Sequence, residues 1–323
     1  MKTYFETELG KLYCGSTLAV LKQLPEESVN CCVTSPPYWG LRDYGVKGQL
    51  GLEKTFQEYI TKLCDIFDEV KRVLRKDGTC WVNLGDSYSN SGKGGDSERA
   101  YSKRHTEFGK ISDVRRHGKP TRVKDLPPKS LCNIPARFSI EMQNRKWTLR
   151  NEIIWHKPNC MPSSAKDRFT ADFEKIFFFV KNKKYWFETQ REPHSQVSLN
   201  RIKKPWKGKL CKGHSLGGLK DGDMSKMCHP EGRNKRTVWQ INTKSFKDAH
   251  FAVFPEELIE TPIKAGCPKN GVVIDIFSGS GTVPVFCEKH GYKWLAIDLS
   301  GEYCDMAAKR IKAEADQIKM EFC

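Results

Sequence analysis

The sequence predicts an α/β domain with a largely parallel sheet and helices on both faces. Three observations carry that expectation. Strand-like and helix-like segments alternate along most of the chain. Runs such as Val29–Thr34 and Val272–Phe277 are almost continuously apolar, as in strands buried on both sides. The second of these runs enters a glycine-rich turn, then a helix, then another strand. With 323 residues, 38% of them hydrophobic, the chain can bury a core as one large domain or two ordinary ones, and wholesale disorder is excluded.

The elements follow in order. Lys11–Cys14 is a short strand, and Thr17–Leu24 a short helix stopped by Pro25. Val29–Thr34 is a strand ended by Pro36 and Pro37. Phe56–Leu74 has apolar residues at helical spacing, including Tyr59, Ile60, Leu63, Phe67 and Val70, and closes at Asp77-Gly78. Thr79–Leu84 is the next strand. Residues 87–130 lack a sustained period and read as a mobile, basic loop. Leu131–Asn144 reads as a helix. Leu149–Trp155 and Glu174–Val180 read as strands, the latter opening a hairpin to Tyr185-Trp186-Phe187. Trp147, Trp155 and Trp186 are expected in the core. Residues 190–247 lose periodicity again. Pro255–Lys264 is a helix, Val272–Phe277 a strand, Val283–His290 a helix, Trp294–Leu299 a strand and Glu302–Ile318 a helix. The expected division is a main domain from 1–187 and 248–323, with a separate region at 188–247.

Charge gives the first functional indication. The chain carries 55 Lys and Arg against 39 Asp and Glu, a formal +16. Residues 91–130 hold 11 basic and 5 acidic side chains, and residues 191–240 hold 12 and 4, so these two stretches supply +14. A near-neutral scaffold with two basic inserts suits a polyanion such as DNA. Arg201, Lys203, Lys204, Lys207 and Lys209 surround Trp206 and are candidate phosphate contacts. No run of about 18 apolar residues occurs, so no membrane-spanning helix is expected. Met1–Lys11 lacks an apolar signal core, and the 13 cysteines read as cytosolic thiols. A cytoplasmic location is expected. Cys211, His214, Cys228 and His229 have the chemistry of zinc ligands, but the adjacent Cys228-His229 pair is awkward for one tetrahedral ion, so no metal is expected.

Two motifs carry chemistry. In Asp275-Ile276-Phe277-Ser278-Gly279-Ser280-Gly281-Thr282 the glycines let backbone N–H groups approach a ligand, and Asp298 ends the following strand, where an acid bridges two ribose hydroxyls. Pro284 stands where a dinucleotide fingerprint has its third glycine, which argues against a nicotinamide cofactor. Ser35-Pro36-Pro37-Tyr38 follows a buried strand directly. It fits equally a proline-stiffened turn and a rigid pocket whose acceptors hold the amine of a base stacked on Tyr38.

Together these segments resemble the amino-methylating DNA methyltransferases that use S-adenosylmethionine. The order, tetrapeptide before glycine turn, resembles the circularly permuted beta group, in which a recognition region separates two halves. The resemblance implies a Rossmann-like class I methyltransferase sheet with a DNA-recognition insert at 188–247, and a loop at 87–130 that closes over DNA. Tyr13 and Ser16 resemble the segment contacting the cofactor adenine, although the family often has Gly-Asp where Gly15-Ser16 stands. His250, Phe254 and Pro255 resemble the segment packing on the methionine end. The stretch Glu152–Asn159, with Lys157, and Arg168 beyond it, resembles the strand and loop before the recognition region; Lys157 and Arg168 are expected on DNA. Ser35 at the head of the tetrapeptide resembles the cytosine-N4 subgroup; adenine-N6 enzymes more often have Asp. No Pro-Cys pair occurs, so cytosine-C5 methylation through a cysteine is excluded. The expected function is therefore site-specific N4 methylation of cytosine in double-stranded DNA, with a cognate restriction endonuclease as a candidate partner. Adenine-N6 methylation is the alternative. More remote are an inactive DNA-binding shell and an enzyme acting on RNA or a protein amide.

Overall fold

The computed structural model describes residues 2–41, 43–89, 126–202, 229–244 and 255–321. In chain order the elements are β1 (Phe5–Glu6), β2 (Gly10–Cys14), α1 (Thr17–Leu21), β3 (Val29–Thr34), α2 (Phe56–Val73), β4 (Leu74–Leu84), α3 (Ile134–Asn144), β5 (Thr148–His156), β6 (Phe173–Val180), β7 (Arg191–Glu192), α4 (Gln196–Ile202), β8 (Arg233–Asn234), β9 (Val238–Gln240), α5 (Glu256–Gly266), β10 (Val272–Asp275), α6 (Thr282–His290), β11 (Lys293–Asp298) and α7 (Gly301–Glu321). Nine strands form one sheet in the order β1-β2-β11-β10-β3-β4-β6-β5-β9. Strands β2, β11, β10, β3 and β4 pair in parallel, and β6 runs antiparallel between β4 and β5. The expected α/β, mostly parallel architecture is therefore present.

Both faces of the sheet are covered. Cys32, Ile274, Ile297, Phe177 and Phe179 face α1, α2 and α3 within one core cluster. Their neighbours Cys31, Val273, Ala296, Ile176 and Phe178 point the other way, to α5, α6 and α7. Two-sided burial is why these strands read as continuous apolar runs. Helix α2 begins with the Thr55 side chain accepting from the Glu58 N–H, and Glu58 lies in its first turn. Its buried residues recur at helical spacing, and Phe67 packs 5.3 Å from Phe138, ring centre to ring centre. Truncating Phe67 to Ala would cost roughly 3–5 kcal/mol through the cavity it leaves.

Several boundaries differ from expectation. Helix α1 ends at Leu21, and α2 passes directly into β4 at Leu74, so Asp77-Gly78 lies inside the strand rather than in a turn. The β3–β4 register shifts between Val29 and Cys31, which absorbs the irregularity. Tyr185–Phe187 is not a strand. Tyr185 and Phe187 instead pack on Phe178, and Trp186 is 41% exposed, whereas Trp147 and Trp155 are buried as expected. The chain separates into two compact units, Met1–Phe187 with Thr237–Cys323, and Glu188–Arg236. The second contains α4 and the antiparallel β7–β8 pair, with Glu192 accepting from Arg233 and Arg236. Strand β9 pairs with β5 and so belongs to the main sheet, which places 238–240 outside the expected insert. Most of the basic loop at 87–130, and Cys211, His214 and Cys228, lie outside the described residues; His229 is exposed. Among the described residues no helix is long and apolar enough to cross a membrane.

Candidate active site

A cavity of about 580 Å³ opens beyond the C-terminal ends of β3, β10 and β11. This is where ligands bind in open parallel sheets. It is lined by Ser35, Pro36, Pro37 and Tyr38 after β3, by Phe277, Ser278, Gly279, Ser280 and Thr282 after β10, and by Asp298 at the end of β11. The topology thus brings the tetrapeptide and the glycine turn into one site, although they stand near opposite ends of the chain.

The glycine turn is shaped to admit a ligand. Gly279 has φ +51° and Gly281 φ +79°, both in the left-handed region. A Cβ on Gly279 would meet nothing within 4 Å, so its open side faces space, while one on Gly281 would meet Ala307 of α7 at 2.9 Å. Gly281 serves helix packing and does not line the cavity. The Ser278 and Thr282 hydroxyls are buried and, among the described residues, have no hydrogen-bond partner. Buried orphan hydroxyls on a cavity wall fit a polar ligand group that satisfies them. Asp298 accepts from the Gly279 N–H at 2.7 Å and the Ser300 N–H at 2.9 Å, one on each oxygen. Each oxygen keeps lone-pair capacity for a ligand hydroxyl. Burial raises its pKa, and the N–H bonds oppose that shift. These features fit the adenosine and amino-acid parts of S-adenosylmethionine.

Asp275 has a different place from the one expected. It is 1% exposed and does not line the cavity. Its Oδ1 accepts from the Thr34 hydroxyl at 2.7 Å and the Phe277 N–H at 3.1 Å. It therefore ties the residue before Ser35 to the glycine turn. Burial pushes its pKa up to about 7, with Asp298 adding to the rise. Tyr13 and Pro255 are also buried away from the cavity, whereas Ser16 lines it. His250 and Phe254 lie outside the described residues.

The tetrapeptide is held by its neighbours. Tyr59 donates to the Pro37 carbonyl at 2.8 Å. The Tyr38 ring packs on Gly85, where a Cβ would come 2.5 Å from it. The Tyr38 hydroxyl lies 2.6 Å from Glu174 Oε2 and 3.1 Å from Asn83 Oδ1. Burial and the Glu174 carboxylate raise the Tyr38 pKa, so the phenol stays protonated and donates. Ser35 Oγ donates to Asn83 Oδ1 over a long 3.4 Å. Ser35 lines the cavity, and a hydroxyl oxygen can accept from a ligand while its hydrogen is given elsewhere.

Lys157, expected on DNA, lines the cavity and is hydrogen-bonded to Glu174 Oε1, with side chains of both partners 17% exposed. Its Nζ also sits 4.4 Å from the Trp155 ring centre. Arg168 is exposed and stacks 3.7 Å over the Tyr88 ring, outside the cavity lining. Arg201 lies in α4, and Lys203, Lys204, Lys207 and Lys209 lie outside the described residues. Sequence reasoning missed Asn83, Glu174 and Trp155 as site residues. Their signal was the antiparallel pairing of Trp155 with Glu174 and of Asn83 with Ile176, which puts the ends of β4, β5 and β6 beside the tetrapeptide.

Comparisons with known proteins agree with this geometry. A family model for N6 and N4 methyltransferases, described as DNA methylase, matches residues 29–309. The Type II methyltransferase M.Cfr9I of Citrobacter freundii is 40% identical over 307 residues, covering 95% of this chain and 89% of the relative. The Type II methyltransferase M.SmaI of Serratia marcescens is 38% identical over 303 residues, with 93% and 90% covered. Among solved structures, PvuII DNA methyltransferase (cytosine-N4-specific) superposes with a TM-score of 0.63 at 20% identity, covering 98% of this chain and 95% of that one. A putative DNA modification methylase of Thermus thermophilus, solved with S-adenosyl-L-methionine, gives 0.55 at 22% identity, covering 94% and 93%.

Proposed function

The chain belongs to the N6/N4 family of DNA methylases, and from that premise we propose that it methylates the exocyclic N4 amine of cytosine at a specific site in double-stranded DNA. It is a DNA methyltransferase whose cofactor is S-adenosylmethionine. The observation that carries the finer reading is Ser35, a neutral residue on the cavity wall with its hydroxyl 3.4 Å from Asn83 Oδ1.

The residues divide the work. The target base leaves the duplex, because its amine is otherwise paired. The Tyr38 ring, backed by Gly85, offers its other face for stacking. Ser35 Oγ and the Pro36 carbonyl accept the two amine hydrogens, which turns the nitrogen lone pair away from the ring plane. Asp298 holds the ribose hydroxyls, and Ser278, Gly279 and Thr282 meet the polar end of the cofactor. When bound, the cofactor supplies an electrophilic methyl group. Fixing the two partners in one cavity carries most of the rate enhancement. The unit 188–236 is the region we assign to target recognition, with the basic segment 201–209 on phosphates. Modification of this kind accompanies an endonuclease with the same target, which makes such an enzyme the candidate partner.

The test is mass spectrometry of nucleosides from DNA methylated by the purified protein. N4-methylcytosine is expected. N6-methyladenine alone would overturn the target atom and leave the amino-methyltransferase standing.

A further inference from the structure

We infer that Lys157 reads the target base: its ammonium donates a hydrogen bond to the ring acceptor beside the amine, N3 of cytosine, and Glu174 is the residue that positions it. This rests on the proposed cytosine target and adds a contact to it.

The first argument is an inventory of donors. Ser35 and Pro36 meet the amine, but the extruded cytosine also brings N3, which loses its partner on leaving the duplex. Leaving it unmet in a dry pocket costs binding. Most donors beside the tetrapeptide are already committed. The Tyr38 hydroxyl is directed at Glu174, one N–H of the Asn83 amide at the Lys175 carbonyl, and the Trp155 indole N–H at the Ile241 carbonyl. Lys157 has three N–H bonds. One goes to Glu174 and the Trp155 ring lies beneath the ammonium, so donor capacity remains toward the cavity that Lys157 lines.

The second argument is geometric. Glu174 receives Tyr38 on Oε2 and Lys157 on Oε1. One carboxylate thus fixes both the stacking ring and the ammonium. A base lying on Tyr38, with its amine at Ser35, has its adjacent ring nitrogen on the same edge. The third argument is electrostatic. A lone cation beside the amine would draw density from the nitrogen whose lone pair must react. Pairing with Glu174 makes the unit neutral overall, so it supplies a donor at less cost to the nucleophile.

The test pairs a protein change with a base change. The substrates are duplexes carrying the target site, mapped by modification-sensitive sequencing, with either cytosine or 3-deazacytosine at the target position. The analogue keeps the amine and O2 but has C–H in place of N3. Lys157→Met should lower kcat/KM on cytosine by roughly 10–100-fold, while on 3-deazacytosine it should match the parent enzyme within about twofold. The intrinsic reactivity and flipping cost of the analogue cancel in this comparison. Lys157→Gln, which keeps an N–H donor, should recover part of the loss on cytosine alone. Calorimetric affinity for S-adenosylmethionine should stay unchanged in both variants, showing an intact fold. An equal penalty for Lys157→Met on both bases would overturn the inference and leave the cytosine reading intact. Parent enzyme that makes no N4-methylcytosine would overturn both.

Discussion

Asp298→Asn should weaken cofactor binding much more than DNA binding. The carboxylate already accepts the Gly279 and Ser300 N–H groups at 2.7 and 2.9 Å, so its orientation is set before any ligand arrives. Preorganisation of that kind means little ordering cost offsets the ligand contacts. A hydrogen bond to a charged group contributes about 1.5–3 kcal/mol net. In the proposed site two ribose hydroxyls share this carboxylate; Asn keeps one acceptor oxygen and turns its NH2 toward one of the two backbone N–H groups, so the loss should be on the order of one such bond. That corresponds to a roughly 10–150-fold rise in Kd for S-adenosylmethionine. Asp298→Ala should weaken binding at least as much and should also lower Tm, because both backbone N–H groups lose their acceptor. Titration calorimetry, with circular dichroism to verify folding, measures the effect, and DNA binding without cofactor should be unchanged. A folded Asp298→Asn protein whose Kd stays within about twofold of the parent would refute the assignment.

Gly85→Ala should displace the Tyr38 ring, since the new Cβ would stand 2.5 Å from it; single-turnover methylation should slow by more than about tenfold while cofactor affinity stays constant. Asp275, with its pKa raised to about 7 by burial, binds its proton more tightly folded than unfolded. Its contribution to stability is therefore fully present below the unfolded value near 4 and is lost as pH rises through about 7, a swing on the order of 4 kcal/mol; urea unfolding between pH 5 and 8 should show the decline, and Asp275→Asn should flatten it. Ser35→Ala should reduce kcat in rapid-quench measurements and leave calorimetric cofactor affinity unchanged, because the proposed arrangement puts Ser35 on the base side. Neutralising Lys203, Lys204 and Lys207 should reduce the slope of log K for DNA against log salt by about 0.9 for each phosphate no longer neutralised, as fluorescence anisotropy would show.

The parts of the fold that depend on local pattern were legible. Helix α2 follows from its periodicity and the Thr55 cap, and the glycine turn from the strand before it and Asp298 after it. What required a partner strand was hidden. Asp275 looks like a ligand contact in one dimension; its burial comes from β3, whose Cys31 and Cys32 lie beside Val273 and Ile274. Lys157 looks like one more basic residue, and only the β5–β6 register makes it the neighbour of Glu174. Strand β9 is three residues long and carries one buried side chain, Trp239, too short a pattern to recognise. Leu74–Gly78 continues into a strand because Leu74 pairs with Val29, a long-range contact that overrides the turn propensity of Asp77-Gly78.

The strand order also governs when the enzyme comes into being on the ribosome. Strand β2 joins the sheet by pairing Gly10–Cys14 with Trp294–Asp298, and on its other side it has just the two residues of β1. Its fully buried Leu12 therefore has no completed sheet to enter until almost all of the chain has been synthesised. At roughly 5–20 residues per second that wait lasts on the order of 15–60 s. The cavity is subject to the same delay, since one wall follows β3 and the other follows β10 and β11. A nascent chain still short of β10 and β11 consequently lacks one wall of the cavity, which forms through contacts between segments far apart in sequence.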